Sequence, residues 1–237
     1  MEAKSIIMFI FILFLVIIIL SYAMSDTNTL SSLTSGKTSQ TIESTELAGS
    51  SSGSTSNFTY SIWFFIDDWN YRYGEPKVIF GRMSTIDKNS PCPTVVLNPF
   101  RNNIEVSLAV YDPSNNSDSQ QHTCSLSNVP IQKWCNLFIS VYGRTLDIYL
   151  DGKMVRTCVL PGISKVDSNA PVYITPMGGF SGWTAKFQYW AESSNPQKAW
   201  DIYKEGYGGS LLGSIFGKYT VKLSLMEGDT ESTTLEF

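Results

Sequence analysis

Trp134 to Gly162 reads WCNLFISVYGRTLDIYLDGKMVRTCVLPG. Three strands and two turns are legible in it. Gly143-Arg144 separates the first apolar run from the second. Asp151-Gly152 separates the second from a third, and Asp-Gly is a strong two-residue hairpin signal because both turn positions favour φ > 0. Between the turns, Leu146, Ile148 and Leu150 alternate with Asp147 and Tyr149. That period of two predicts a strand with one buried face and one more polar face. Pairing across the Asp-Gly turn sets Cys158 opposite Thr145, and Thr145 pairs onward with Tyr142. Cys135 begins the first strand, several residues away, so a Cys135–Cys158 bridge exceeds the usual Cα limits. Cys158 is therefore expected as a small buried apolar residue.

Working outward, further strands are expected over Phe58 to Ile66 (FTYSIWFFI), Pro76 to Arg82, Pro93 to Leu97 and Asn103 to Tyr111, between Gly-, Pro- and Asn-rich turns. More follow near Pro171 to Thr175 and over Phe180 to Trp190 (FSGWTAKFQYW). Pro196 to Tyr203 is the one soluble helix candidate. Asn195 or a neighbouring Ser can cap it, Pro suits its first turn, and Gly206 stops it. Tyr219, Val221, Leu223 and Leu225 alternate with polar residues as a half-buried strand, and Thr230 to Phe237 can pair back on it. The fold class is all-β, and 57–237 has the size of one sandwich domain.

The N-terminal quarter differs. Ile6 to Leu20 is an unbroken apolar run, extended by Tyr22, Ala23 and Met24. It approaches the roughly 20 residues a helix needs to cross a bilayer. It exceeds the apolar stretch of an ordinary signal peptide, although Ser21-Tyr22-Ala23 fits a small-x-small cleavage site. Residues 1–24 are thus expected as a transmembrane anchor, with a signal peptide as the alternative. Lys4 before the span and Asp26 after it place the N-terminus on the cytosolic or interior side. More than half of residues 25–56 are Ser or Thr. Such a stretch is expected to be a flexible linker, because it buries too little apolar surface to offset its ordering entropy. As a coil it would span on the order of 30 Å.

Composition also excludes functions. The net charge is −4 and there is no basic block, so nucleic acid is not an expected partner. The four cysteines (Cys92, Cys124, Cys135 and Cys158) form no CxxC, and His122 is the single histidine, which argues against structural zinc. Four cysteines allow three complete pairings, with disulfides favoured outside the cytosol. Asn115 in a polar loop and Asn57 at a strand edge are candidate N-glycosylation sites.

Three groups of residues together resemble the laminin-G-like, or concanavalin A-like, jelly-roll β-sandwich. YSIWFFI (Tyr60 to Ile66) resembles the family's opening strand. Lys133-Trp134 leading into two strands and then YLDGK resembles its central hairpin. GGFSGWTAKFQYW followed by AWDIY (Ala199 to Tyr203) resembles its closing strand and short helix. The wording VPIQKW, DIYLDGK and AWDIYKEGYGG is also similar to laminin-G-like proteins of large DNA viruses of algae and protists. That resemblance implies a virion protein. It would be either a minor capsid component linking an internal membrane to the shell, with capsid proteins as partners, or a surface lectin.

Glucanases share this fold, and their chemistry needs paired carboxylates. The fold's retaining glycosidases carry them in an E-x-D-x-x-E-like run on one strand, and this chain has none. Asp151 is a turn residue, Asp67 and Asp68 are adjacent, and Glu192 and Glu205 flank the helix. No enzyme is expected. Calcium is a weaker implication of the resemblance, with Asp112 and Asp118 as loop candidates beside Asp67 and Asp68; no other cofactor is expected. The candidate contact site is DDWNYRYG, where Trp69, Tyr71 and Tyr73 lie among Asp68 and Asn70. Such a loop can stack on a sugar face, or form a protein interface, where exposed aromatics are enriched. The expected function is therefore a membrane-anchored, non-enzymatic docking module, with a carbohydrate-binding lectin as the alternative.

Overall fold

The computed structural model describes residues 28–47, 56–85, 90–112 and 119–208, the backbone of 222–227 and 230–236, and four helical positions, 8, 12, 15 and 16. The Ile6 to Met24 span otherwise lies outside the described residues. Among the described residues, no helix is long and apolar enough to cross a membrane.

Two antiparallel sheets pack face to face. The strands are β1 (Thr29–Ser31), β2 (Thr34–Ser35), β3 (Gln40–Ile42), β4 (Phe58–Asp68), β5 (Lys77–Met83), β6 (Pro91–Leu97) and β7 (Asn103–Tyr111). They continue with β8 (Ser119–Ser127), β9 (Trp134–Tyr142), β10 (Thr145–Leu150), β11 (Lys153–Val159), β12 (Val172–Ile174) and β13 (Ser181–Trp190). The seven-stranded sheet runs β1-β13-β4-β9-β10-β11, with β2 also on β13. The six-stranded sheet runs β3-β12-β5-β6-β7-β8. Alternate residues from both sheets meet in one core, including Tyr60, Ile62 and Phe64 of β4 and Val95, Val106 and Leu108 of the facing sheet. β14 (Lys222–Glu227) and β15 (Thr230–Glu236) pair as the C-terminal hairpin anticipated from its alternation.

Helix α1 (Pro196–Glu205) lies on the outer face of the seven-stranded sheet. There Ala199 and Ile202 close a second small core over Phe138, Tyr149 and Trp190. Asn195 caps it: its Oδ1 accepts from the Lys198 N–H at 2.9 Å. Tyr149, read as lying on the more polar face of β10, is buried because the helix covers that face.

The Asp-Gly turn forms as expected, with φ of 52° at Asp151 and 73° at Gly152. Gly152 has a second constraint. A Cβ there would lie 2.9 Å from the Trp200 ring and 2.9 Å from the Tyr203 Cβ. Gly152→Ala is expected to cost about 2 kcal/mol from turn strain and displacement of the helix. Its urea midpoint should fall by a corresponding amount, whereas Gly143→Ala, with open space around it, should cost only the turn strain.

Three expectations are corrected here. First, the Ser/Thr-rich stretch is not a linker throughout. Residues 28–47 supply β1, β2, β3 and a 3-10 turn over Ser44–Glu46. Ile42 and Leu47 are buried in the main core. These strands are too short for periodicity to show, and they form because β12 and β13 offer open edges to pair with. The sandwich therefore begins near residue 28, not at 57. Second, Ser119–Ser127, which the expected strands leave out, is a strand paired with β7 along its whole length.

Third, Cys158 is not a free apolar residue: it is bonded to Cys124, with a Cα–Cα distance of 6.3 Å. A register shift between Ile148 and Tyr149 leaves one extra residue on β11, so Cys158 sits opposite Leu146 instead of Thr145. A one-residue slip moves a side chain to the other face of a sheet. Cys158 thereby shares the core-facing side of Leu146 and reaches β8 of the other sheet. Cys135 is buried and unbridged, and so is not joined to Cys158, the one pairing that the distance argument excluded. Burial pushes its thiol up to about 12, so it stays protonated at neutral pH.

Candidate functional site

β4 ends at Asp68 and delivers the aromatic loop to one end of the sandwich. The loop is held from several sides. Asp68 Oδ1 accepts from the Asn70 N–H at 2.9 Å, closing an Asx turn. The Tyr73 N–H donates to the Asn70 carbonyl. Arg72 takes φ of 52° and donates through Nε to Glu75 at 2.9 Å. It also donates through Nη1 to the Met177 carbonyl of the β12–β13 loop. Gly74 donates to the Pro99 carbonyl of the β6–β7 loop. Three loops far apart in sequence thus form one rim.

Within that rim the three aromatics take different roles. Trp69 is half-buried and packs against the main core. The Lys77 amino group sits 5.3 Å over its ring, a cation–π arrangement on a residue only 1% exposed. Burial, followed by the charge of Arg72, lowers the pKa of that amine. Tyr71 is pinned: its hydroxyl donates to the Gly178 carbonyl at 3.1 Å, and Lys37 lies 4.8 Å over its ring. Tyr73 alone projects, at 60% exposure. It meets Phe100, 65% exposed, edge to face with ring centroids 5.8 Å apart. Met177, beside the carbonyl that Arg72 grips, is 73% exposed. The result is an apolar knob on a braced loop.

The loop was legible as an aromatic turn, but its outward partners were not. Phe100 and Met177 are isolated apolar residues in turn sequences, and nothing in their spacing links them to Tyr73. The exposed carboxylates Asp67 and Asp68 end β4 without converging on a third acid. Asp112 is half-buried, and among the described residues no three His, Cys, Asp or Glu side chains cluster as a metal site. Asp118 and Asn115 lie outside the described residues. Asn57 Oδ1 accepts from the Gly143 N–H at 2.8 Å, so its carboxamide fixes the turn after β9. Asp147 accepts from the Thr157 hydroxyl at 2.6 Å, and Asp151 pairs with Lys133 at 2.8 Å. Both acids are committed to structural contacts.

One six-stranded and one seven-stranded antiparallel sheet, packed face to face with a loop rim at one end, form a sandwich consistent with a jelly roll. The chain belongs to the concanavalin A-like lectin/glucanases superfamily, in its laminin G branch, whose family model matches residues 35–191. No curated protein matches it. Among solved structures, a variant of a protein designated HCR/D is similar at a TM-score of 0.54 and 13% identity, over 76% of this chain and 45% of the other. The botulinum neurotoxin serotype G binding domain is similar at a TM-score of 0.47 and 17% identity, over 62% of this chain and 36% of the other. The chain thus spans less than half the length of these structures. At such identities the likeness is one of fold.

Proposed function

We propose that this chain is a membrane-tethered, non-enzymatic recognition module that docks a protein partner through the rim. One observation carries the reading: Tyr73, on a loop fixed by Asn70, Arg72 and Gly74, forms an exposed aromatic pair with Phe100 of the β6–β7 loop. Rigid, exposed aromatics carry a large share of interface energy because their burial costs little conformational entropy. A sugar platform at Trp69 has less support, because that ring packs inward against the core. The tether is proposed from the Ile6 to Leu20 run, and the Cys124–Cys158 bridge fits a domain facing an oxidising compartment. The virion setting, with capsid proteins as partners, rests on the wording of the sequence alone. It predicts that the chain is stoichiometric in purified particles and leaves them only with detergent.

The test is the double variant Tyr73→Ser/Phe100→Ser. Both side chains are exposed, so the fold should keep its stability within about 0.5 kcal/mol. Partner affinity should fall by at least about 2 kcal/mol, roughly thirtyfold, measured by titrating the full chain against the copurifying protein. If Trp69→Ala abolishes retention on a glycan array while the double variant binds its partner normally, the lectin reading replaces this one.

A further inference from the structure

The chain enters β1 from the end of the sandwich opposite the rim. Thr29 pairs with Gln188 near the close of β13, and Ser35 pairs with Trp183 near its start. The Asn28 carbonyl accepts from the Tyr189 N–H. The N-terminal apolar run ends at Met24, four residues before Asn28. Four residues reach at most about 14 Å along the chain. β4, with 11 residues, separates this end from the rim by about 35 Å.

This end carries exposed apolar side chains that the fold does not use. Tyr142 closes β9 and Val159 closes β11. Both pair in register with Thr145, so they point to the same side, about 10 Å apart. They are 69% and 71% exposed. Ile163, 50% exposed, follows β11, and its carbonyl accepts from the Tyr111 N–H at 2.9 Å where β7 closes. Gly162 permits that approach, since a Cβ there would lie 1.9 Å from the Tyr111 carbonyl oxygen. Between Tyr142 and Val159 the β9–β10 turn presents Arg144, exposed, whose Nε donates to the Leu160 carbonyl at 3.0 Å. The nearest acids are engaged within the fold: Asp147 accepts from the Thr157 hydroxyl, and Asp167 accepts from Ser84 and Thr85.

We infer that this end of the sandwich rests on the lipid surface, with Tyr142, Val159 and Ile163 in the headgroup–acyl boundary and Arg144 at the phosphates. The inference rests on the membrane tether proposed above. Three observations favour lipid as the occupant. The first is the connection: a chain anchored through Ile6 to Met24 keeps this end, and not the rim, within about 14 Å of the bilayer. The second is size. A stable protein complex buries about 800 Å² on each partner, more than these few side chains offer. A weak lipid contact suffices here, because a short tether makes it intramolecular at an effective concentration in the millimolar range. The third is chemistry. A tyrosine with an apolar ring and a polar tip suits the bilayer interface, and a guanidinium donates well to phosphate oxygens. Contact at this end turns Tyr73 and Phe100 away from the membrane, toward a partner.

The test reconstitutes the full chain in phosphatidylcholine–phosphatidylserine vesicles and attaches an environment-sensitive fluorophore to Tyr142→Cys, Ile163→Cys or Tyr73→Cys. Cys92 and Cys135 are buried and Cys124 is bonded to Cys158, so one site is labelled in each variant. Lipids with a spin label on the acyl chain should quench the probes at 142 and 163 at least about twofold, because the boundary lies within about 5–10 Å of the acyl region. The probe at 73 should keep its emission. Adding Tyr142→Ser/Val159→Ser should remove most of the quenching at 163, which nearness to the tether alone would leave in place. Equal quenching at 73 and 142, or quenching at 163 that survives the double variant, overturns the proposal. So does a blue-shifted probe at 142 that lipid quenchers do not reach, because protein would then cover this end. Vesicle-bound chain with no quenching at 142 or 163 overturns the contact and leaves the tether standing. Chain that does not float with the vesicles overturns the tether, and the contact with it.

Discussion

Reducing the Cys124–Cys158 bridge, or replacing both residues by Ser, is expected to lower the unfolding free energy by about 4 kcal/mol. The bridge closes a sequence separation of 34 residues. The entropy it removes from the unfolded chain grows with the logarithm of that length. Its position adds a native-state role. β8 is the terminal strand of the six-stranded sheet, and β11 is the terminal strand of the seven-stranded one. Each pairs on one side only, so without the bond the two sheet edges are joined mainly by core packing. A loss of this size in a domain this large lowers Tm by about 10 °C. Thermal unfolding with and without a reductant checks it. Cys92 and Cys135 are buried, so only two thiols should react before unfolding once the bridge is reduced. An unchanged Tm with both thiols free would show that the bridge contributes no stability.

Arg82→Ala is expected to be comparably damaging, at about 4 kcal/mol. Arg82 is 2% exposed and faces the core from β5. Its guanidinium donates through Nε to the Ala170 carbonyl at 3.0 Å, through Nη2 to the Ser168 carbonyl at 3.0 Å, and through Nη1 to the Tyr60 hydroxyl at 3.4 Å. Tyr60 packs against Tyr189 with ring centroids 4.9 Å apart, and burial raises the pKa of both phenols, so both stay neutral. Truncation leaves a cavity and strands two carbonyls and a hydroxyl, each costly when buried without a partner. Arg82→Met separates the causes, since it restores much of the volume without any donor. Denaturant midpoints should rank parent, then Met, then Ala. A Met variant as stable as the parent would show that the hydrogen bonds contribute nothing net.

The sequence was most informative where strands are long and one face is apolar. The β9-β10-β11 meander follows from the alternation of β10 and from turn residues such as Asp151-Gly152, and β4, β7 and β13 from long apolar runs between turns. It was silent where a strand exists because a neighbour offers an edge. Thr29–Ser31 and Gln40–Ile42 carry three residues each, and their Ser and Thr side chains look the same in a coil and at a sheet margin. β8 was missed because only Cys124 and Leu126 are fully buried along it. The disulfide was missed through a single bulge that no local residue type announces. At the rim, DDWNYRYG was legible because an aromatic cluster in a turn is unusual. That Trp69 turns inward while Tyr73 pairs with Phe100 depends on the β6–β7 and β12–β13 loops, whose approach is set by topology.

Docking through the rim is tested most directly by a photo-crosslinking residue placed at Tyr73 in the full chain, produced in its native host. Tyr142, 69% exposed at the opposite end of the sandwich, is the control position. A discrete protein adduct at position 73, absent at 142 and lost when Phe100→Ser is added, is the expected result. An adduct at position 142 but not at 73, or equal adducts at both, would contradict the assignment of the rim as the docking surface.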